Sequence, residues 1–309
     1  MHVVVVGSLN IDLVVRIPQI PRPGETLLGG VFKTYPGGKG ANQAVAAARL
    51  GAHVTMIGCV GGDAFGQDVR NTLIAEGIDT TYVLVHPESA TGVALIQVDA
   101  EGQNSIAVAS GANFQLTVAD VEKAMQAVRK IDVLVMQLET PLVTIYTAAK
   151  TASLRGAKVL LNPAPAQVLN QDLLELVDVL LPNEYEIALM TGFPPLQSAA
   201  DARSAAEKML SLGAKNLLVT MGGQGAVLFD GEMELNISAC PVQAVDTTAA
   251  GDCFVGALAV GLCEGKSLPS AAEFANVAAA ISVTRAGAQP SLPRRDEVEQ
   301  FIRERIKKQ

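Results

Sequence analysis

Short runs of β-branched and leucine residues alternate along the chain with longer stretches in which apolar residues recur at helical spacing or alanine dominates. Uninterrupted apolar runs suit strands buried on both faces, and the stretches between them are long enough for crossover helices. The alternation therefore predicts an α/β fold of repeated βα units around a mostly parallel sheet. Strands are expected over residues 3–6, 54–59, 133–138, 159–161, 179–181, 217–221 and 226–229, and helices over 41–50, 118–129, 199–212 and 253–263. Gly51, Gly156, Gly213 and Gly265 fall where such helices would end in a left-handed residue.

Two stretches break the rhythm. Residues 11–35 and 91–109 read as strands and turns with no helix of useful length, and 93–108 has the pattern of a hairpin turning at Ala100-Glu101-Gly102. They suit a small β-sheet lid over a cleft or, equally, an edge extension of the main sheet. No linker, low-complexity tract or internal repeat divides the chain, so residues 1–309 read as a single domain.

Of the 309 residues 49% are hydrophobic and 4% aromatic, with no Trp, so a large core must be built from Val, Leu, Ile and Ala. The net charge of −8 argues against nucleic acid or an anionic membrane as partners. Cys59, Cys240, Cys253 and Cys263 form no C-x-x-C pair and have no His cluster beside them. A structural zinc site is therefore not expected, and free thiols point to a reducing, cytoplasmic setting. The start of the chain lacks a signal-peptide pattern and no run reaches membrane-spanning length. His2, His53 and His86 lie outside every motif and are expected on the surface or in loops.

Candidate chemistry sits in glycine-rich turns. Asp246-Thr247-Thr248-Ala249-Ala250-Gly251-Asp252 opens directly into the apolar helix beginning at Cys253. Small residues at a helix N-terminus leave backbone N–H groups free for a phosphate. A carboxylate in that place is electrostatically awkward unless it takes a proton from an attacking hydroxyl. Asp252 is thus a candidate general base, with an ordinary helix cap as the alternative.

Pro36-Gly37-Gly38-Lys39-Gly40-Ala41-Asn42 also leads into a helix. It is not a Walker A loop, because Gly40 stands where Ser or Thr is required and no strand is expected directly before it. Lys39 and Asn42 could donate to a polyhydroxyl ligand, or the turn could be a plain cap. Thr220-Met221-Gly222-Gly223-Gln224-Gly225, Asn183-Glu184-Tyr185-Glu186 and Glu139 each follow an expected strand, at the edge where α/β sheets bind ligands. Their coincidence favours one shared cleft.

The segments Gly7-Ser8-Leu9-Asn10-Ile11-Asp12, Gly37-Gly38-Lys39-Gly40-Ala41-Asn42-Gln43-Ala44, Gln137-Leu138-Glu139, Asn162-Pro163-Ala164-Pro165, Pro182-Asn183-Glu184 and Asp246 through Asp252 together resemble the ribokinase-like carbohydrate kinase family over essentially the whole chain. The resemblance implies a central sheet flanked by helices and a small β lid that also makes a homodimer contact. It implies transfer of the γ-phosphoryl group of ATP to a sugar's terminal hydroxymethyl group, that of D-ribose giving ribose 5-phosphate. Asn10, Asp12, Gly38, Lys39, Asn42 and Glu139 would hold the sugar, Asp252 would be the base, and Ala249, Ala250 and Gly251 the anion hole.

By the same resemblance Asn183, Thr220, Gly222, Gly223, Gln224, Gly225, Gly251 and Asn276 match nucleotide positions, and Glu186 an element linked to Mg2+. Asp246, Thr248, Ser282, Arg285, Gly287 and Ser291 resemble a loop that holds K+ largely through backbone carbonyls. Asn276 stands where the family can carry His, and Cys253 and Val255 replace polar residues, with Cys253 read as an inert buried thiol. The rival readings are a kinase of the same family acting on deoxyribose, fructose or a nucleoside and, further off, a non-catalytic sugar sensor. Asn10 and Asp12 favour a fully hydroxylated pentose, since a site built to bond a hydroxyl penalises the analogue lacking it. Asp252 and Gly251 count against a sensor.

Overall fold

The computed structural model describes residues 1–194, 196 and 199–307. In chain order the described strands are β1 (His2–Val6), β2 (Asn10–Arg16), β3 (Val31–Gly37), β4 (His53–Gly61), β5 (Asp79–His86), β6 (Gly92–Val98), β7 (Asn104–Ala109), β8 (Val133–Met136), β9 (Lys158–Leu161), β10 (Val179–Leu180), β11 (Leu217–Thr220), β12 (Gly225–Phe229) and β13 (Glu234–Ser238). Nine of them form one sheet in the order β13-β12-β11-β10-β9-β8-β1-β4-β5. Neighbours from β11 to β5 are parallel, and β12 and β13 return antiparallel at one end.

Val3 to Val6 of β1 are wholly buried, Val3 and Val5 turned to one hydrophobic cluster and Val4 and Val6 to another. That is the period-two alternation of a strand covered on both faces. Helices Lys39–Arg49, Ala250–Cys263 and Leu268–Ser282 cover the first cluster, and Val118–Ala127, Leu142–Leu154 and Ala199–Ser211 the second. Each fully buried Val or Leu stabilises the fold by about 1.5–3 kcal/mol, which is why the central strands are the clearest runs in the sequence. Gly256 brings two of these helices together: a Cβ there would lie 2.6 Å from the Ala46 Cβ and 2.7 Å from the Gln43 carbonyl oxygen. The close approach carries Asn42 and Gln43 up to Asp252, one helical turn before Gly256.

All seven expected strands are present, with 133–138 shortened because the Leu138 N–H donates to the Ala164 carbonyl instead of continuing the ladder. β5 and β13 have no counterpart among the apolar runs. Both are edge strands with mixed burial, so their hydrophobic signal is diluted.

The other four strands make a separate sheet in the order β3-β2-β6-β7, which excludes an edge extension of the main sheet. β2 follows β1 after Gly7, Ser8 and Leu9, so the chain passes straight from the main sheet into the small one. β6 and β7 are the expected hairpin, its turn closed by Asp99 Oδ1, which accepts from the N–H groups of Glu101 and Gln103. The histidines lie in strands rather than loops, with His53 on the surface as expected and His2 and His86 half-buried. His2 opens β1, His53 opens β4 with its ring edge-on to His2 at 4.4 Å, and His86 closes β5. Among the described residues no helix is long and apolar enough to cross a membrane.

Candidate active site

The loop leading into the Ala250–Cys263 helix ends on Ala249 at φ 59°, in the left-handed region where a residue with a Cβ is strained. No side chain caps this helix. Its N-terminus instead meets a cavity of 180 Å3, lined by Lys39, Asn162, Leu181, Asn183, Glu186, Thr220, Thr247, Ala249, Ala250, Gly251, Asp252 and Val255. A Cβ on Gly251 would meet no atom within 4 Å, so the first-turn main chain is uncovered. The Ala250 N–H turns back to the Thr247 carbonyl at 3.2 Å, and the neighbouring first-turn amides with the helix dipole make this a place for an anion.

Asp252 is not the helix cap. Its carboxylate turns inward, where Oδ2 accepts from Asn42 Nδ2 and Oδ1 from Gln43 Nε2, both at 2.9 Å. Burial pushes its pKa up, opposed by the Lys39 ammonium and the two amide bonds and reinforced by Glu139. A carboxylate with raised proton affinity, held through both oxygens beside an anion site, is equipped to accept a proton.

Lys39 begins the helix that Asn42 and Gln43 belong to. Burial alone would lower its pKa, but Asp252, Glu139, Glu186 and Asp12 together hold it above the ordinary lysine value. It stays a cation among four carboxylates. Gly38 precedes it at φ 89°, and a Cβ there would lie 2.8 Å from the Asn10 backbone nitrogen. Contrary to the expectation for this turn, a strand does directly precede it: β3 ends at Gly37. β3 belongs to the small sheet, so the arrangement still differs from a P-loop.

On the other side of Lys39, Asn10 and Asp12 stand on β2, both on its cleft-facing side by the period-two rule. Asn10 Oδ1 accepts from Asn113 Nδ2 at 2.7 Å. Glu139 Oε2 accepts from Ser8 Oγ at 2.5 Å and from the Lys39 N–H at 3.4 Å. Burial, with Glu139 and Asp252 nearby, raises the Asp12 pKa to about 7. A second cavity of 370 Å3 opens between the small sheet, including Asp12, Arg16, Lys33 and Tyr35, and the loops at 244–248 and 286–288. Its walls mix these polar side chains with the apolar Val14, Val31, Ile96, Val98 and Ile106, the combination in which a few placed polar groups orient a small ligand.

The strand ends opposite behave differently. Asn183 caps the Glu184–Thr191 helix: Oδ1 accepts from the Tyr185 and Glu186 N–H groups, and Glu186 Oε2 accepts from the Asn183 N–H. Burial raises the Glu186 pKa in spite of that bond and of Lys39. Thr220 reaches the small cavity, whereas Gly222, Gly223, Gln224 and Gly225 do not line it. They form the turn between β11 and β12, where a Cβ on Gly225, at φ 95°, would fall 2.0 Å from the Ile237 carbonyl oxygen. Asn276 lies along the same edge, its Nδ2 donating to the Ser238 carbonyl, and Ser238 pairs with Gly225 across the sheet.

The loop carrying Asp246 is tied down by its carboxylate. Oδ1 accepts from the N–H and hydroxyl of Thr248, and Oδ2 from the N–H of Gly287. The Ser282 and Ser291 hydroxyls donate to the carbonyls of Ala279 and Ala288, and Arg285 pairs with Glu297. Cys253 is buried, its thiol pKa pushed up to about 12 by burial, in keeping with an inert thiol.

Reading the sequence for single residues passes over a supporting layer: Ser8, Gln43, Gly92, Asn113 and Gln137. Gly92 is needed because a Cβ there would lie 2.1 Å from Asn10 Oδ1. Ser8, Gln43 and Gln137 fall inside the segments that carry the resemblance but with no role of their own, and Gly92 and Asn113 are marked only by glycine or polar character.

The nine-stranded, mostly parallel sheet between helices, the separate small sheet, and the buried carboxylate at an uncapped helix N-terminus belong to a chain that one family model matches over nearly its whole length. That match, to the pfkB family carbohydrate kinases, spans residues 1–295, and the chain belongs to that family. Ribokinase from Haemophilus influenzae is 44% identical over 298 residues, covering 96% of this chain and 97% of that one. Deoxyribokinase from Salmonella typhi is 40% identical over 302 residues, covering 97% of each. Among solved structures, Arabidopsis thaliana ribokinase complexed with ribose and ATP has 35% identity and a TM-score of 0.88 over 97% of each chain.

Proposed function

We propose that this kinase transfers the γ-phosphoryl group of ATP to the 5-hydroxyl of D-ribose, giving ribose 5-phosphate and ADP. The observation that carries the reading is the Asp252 carboxylate, buried and bonded through both oxygens, beside the uncovered first-turn amides of its own helix. The sugar lies against Asn10, Asp12, Gly38, Lys39, Asn42 and Glu139. Its terminal hydroxyl gives its proton to Asp252 as its oxygen bonds to the γ-phosphorus, and the bond to the β-phosphate oxygen breaks to release ADP. Amides of Ala249, Ala250 and Gly251, with the Lys39 ammonium, stabilise the charge on the transferring group. Such preorganised donors are worth several kcal/mol where water is excluded.

The nucleotide runs along Asn183, Thr220 and the Gly222–Gly225 turn towards Asn276, an edge that offers mostly main chain. Mg2+ arriving with ATP would supply charge neutralisation on the phosphates. Glu186 faces the same cavity with one oxygen already bonded to Asn183, which supports an indirect part in holding it. K+ fits the loop of Asp246, Thr248, Ser282, Arg285, Gly287 and Ser291. The Asp246 carboxylate and both serine hydroxyls hold the loop in shape, which supports a site built largely from the backbone carbonyls of that loop.

The single domain carries the small sheet as a lid that closes on the sugar, and the same sheet joins two copies into a homodimer in the cytoplasm. The exposed Phe32 and Leu95, on the face of that sheet turned away from the 370 Å3 cavity, support a covering partner. Similarity to a deoxyribokinase favours 2-deoxyribose as the second reading of the acceptor. Acceptor-dependent ADP release with Mg-ATP and K+, comparing ribose, 2-deoxyribose, fructose and adenosine, tests the assignment. Preference for ribose supports it, another acceptor overturns the substrate alone, and no dependence on any acceptor overturns the kinase reading.

A further inference from the structure

Gln43 is wholly buried, carries no charge, and meets the catalytic machinery only through its bond to Asp252 Oδ1. Its amide nonetheless has a unique orientation. Asn162 Nδ2 donates to the Leu181 carbonyl at 2.9 Å, and because that carbonyl can only accept, Asn162 must present Oδ1 to Gln43. Gln43 Nε2 answers with one hydrogen to Asn162 Oδ1 at 3.2 Å and the other to Asp252 Oδ1 at 2.9 Å. Its Oε1 accepts from Gln137 Nε2 at 2.6 Å. Turning the amide over would set oxygen against the Asp252 carboxylate and nitrogen against nitrogen at Gln137. Gln137 is itself seated against Gly7, where a Cβ would lie 2.0 Å from its Oε1.

We propose that Gln43 is a positioning residue for the phosphoryl-transfer base, holding the Asp252 carboxylate ionised and aligned through an amide relay that is anchored on the Leu181 carbonyl and locked by Gln137. The inference rests on the reading of Asp252 as the base. A donor to the charged form of an acid favours that form, and in a buried site the effect is large. The relay thus opposes the burial that raises the proton affinity of Asp252. It also leaves the second lone pair of each carboxylate oxygen free to take the substrate proton. The charged groups coupled to Asp252 are Lys39 at the start of the adjoining helix, Glu139 after β8, Asp12 on β2 and Glu186 on the Glu184–Thr191 helix. None of them touches Gln43 through a side-chain hydrogen bond given above, so a change at Gln43 leaves this charge set in place.

The test measures kcat and sugar KM against pH for the intact enzyme, Gln43→Met and Gln137→Met, with thermal unfolding as a control for folding. Gln43→Met should lower kcat between about tenfold and 100-fold, leave sugar KM within about twofold, and move the acid limb of the kcat profile to higher pH. Gln137→Met, which removes only the lock, should shift the same limb in the same direction by less, and it keeps the test open if Gln43→Met does not fold. An acid limb that stays in place in a folded variant, or a loss lying in KM rather than kcat, overturns the inference. Asp252→Asn separates the two failures. If that variant turns over, the base reading itself falls. If it is dead while the Gln43→Met limb does not move, the base stands and the relay has only a structural part.

Discussion

The two sides of the cleft are built from different materials. On the acceptor side, function rests on buried side chains that other side chains hold in place: Asn10 by Asn113, Glu139 by Ser8, Asp252 by Asn42 and Gln43. On the nucleotide side, the side chains at motif positions are used to shape the chain. Asn183 and Glu186 form a capping box, Asn276 holds the Ser238 carbonyl, and the glycines of the 222–225 turn offer only backbone. Discrimination between sugars depends on unpaired polar groups left by the wrong ligand, which requires fixed side chains. Binding a phosphate chain requires N–H groups and small residues, which many sequences supply. Substitutions on the acceptor side should therefore be far more damaging than those opposite.

The largest effect expected is at Asp252. Asp252→Asn keeps the shape and loses the base, so kcat should fall by about 10²–10⁴ while sugar binding, measured by calorimetry, persists. Turnover close to the parent would break the comparison at its strongest point.

Asp12 comes next, because losing a charged hydrogen-bond partner of a substrate hydroxyl costs about 1.5–3 kcal/mol. Asp12→Asn should raise sugar KM by roughly tenfold to 100-fold at pH 8 and leave the KM for ATP nearly unchanged. Since the pKa of Asp12 is raised to about 7, the parent enzyme should lose sugar affinity as pH falls through that value, and Asp12→Asn should flatten this dependence. Stability runs the other way. A carboxyl that binds its proton more tightly when folded favours the fold below its unfolded pKa and loses that contribution as pH rises through about 7. Asp12→Asn should accordingly raise Tm at pH 8 relative to the parent more than at pH 5.

The smallest effect is expected at Asn276, half-buried at the nucleotide edge. Asn276→Ala should change the KM for ATP by about twofold, in line with the roughly 0.5–1.5 kcal/mol net worth of a single hydrogen bond, with sugar KM unaffected. A much larger rise for ATP alone would mean that this side chain meets the base directly, and the contrast between the two sides would then narrow.

The main sheet was legible because its central strands carry unbroken apolar runs, as at Val3 to Val6 and Val133 to Met136, and the crossovers return to a period near 3.6. Edge strands β5 and β13 were not, since exposed, half-buried and buried residues mix along them and the pattern dissolves. In the site, glycine and small residues before a helix marked the anion pocket at Ala249 to Asp252, and the structure keeps that placement. The direction of Asp252 was hidden. A first-turn Asp most often caps its own helix, and only the approach permitted by Gly256 brings Asn42 and Gln43 across to turn it inward. The strand before Gly38 was obscured as well, because Val31–Gly37 is largely exposed and ends in Pro36-Gly37.

By itself, then, the sequence determined the class of sheet, the positions of the phosphate-ready turns and the chemical types gathered there, because burial and helix termini leave local signatures within a few residues. Tertiary structure alone decided which side chains meet. Gln43 and Asp252 lie 209 residues apart, and no local pattern encodes a contact at that separation. The same holds for charge: Asp12 binds its proton up to about pH 7 because folding buries it beside Glu139 and Asp252, residues far along the chain whose fields act only once the sheet has brought them together.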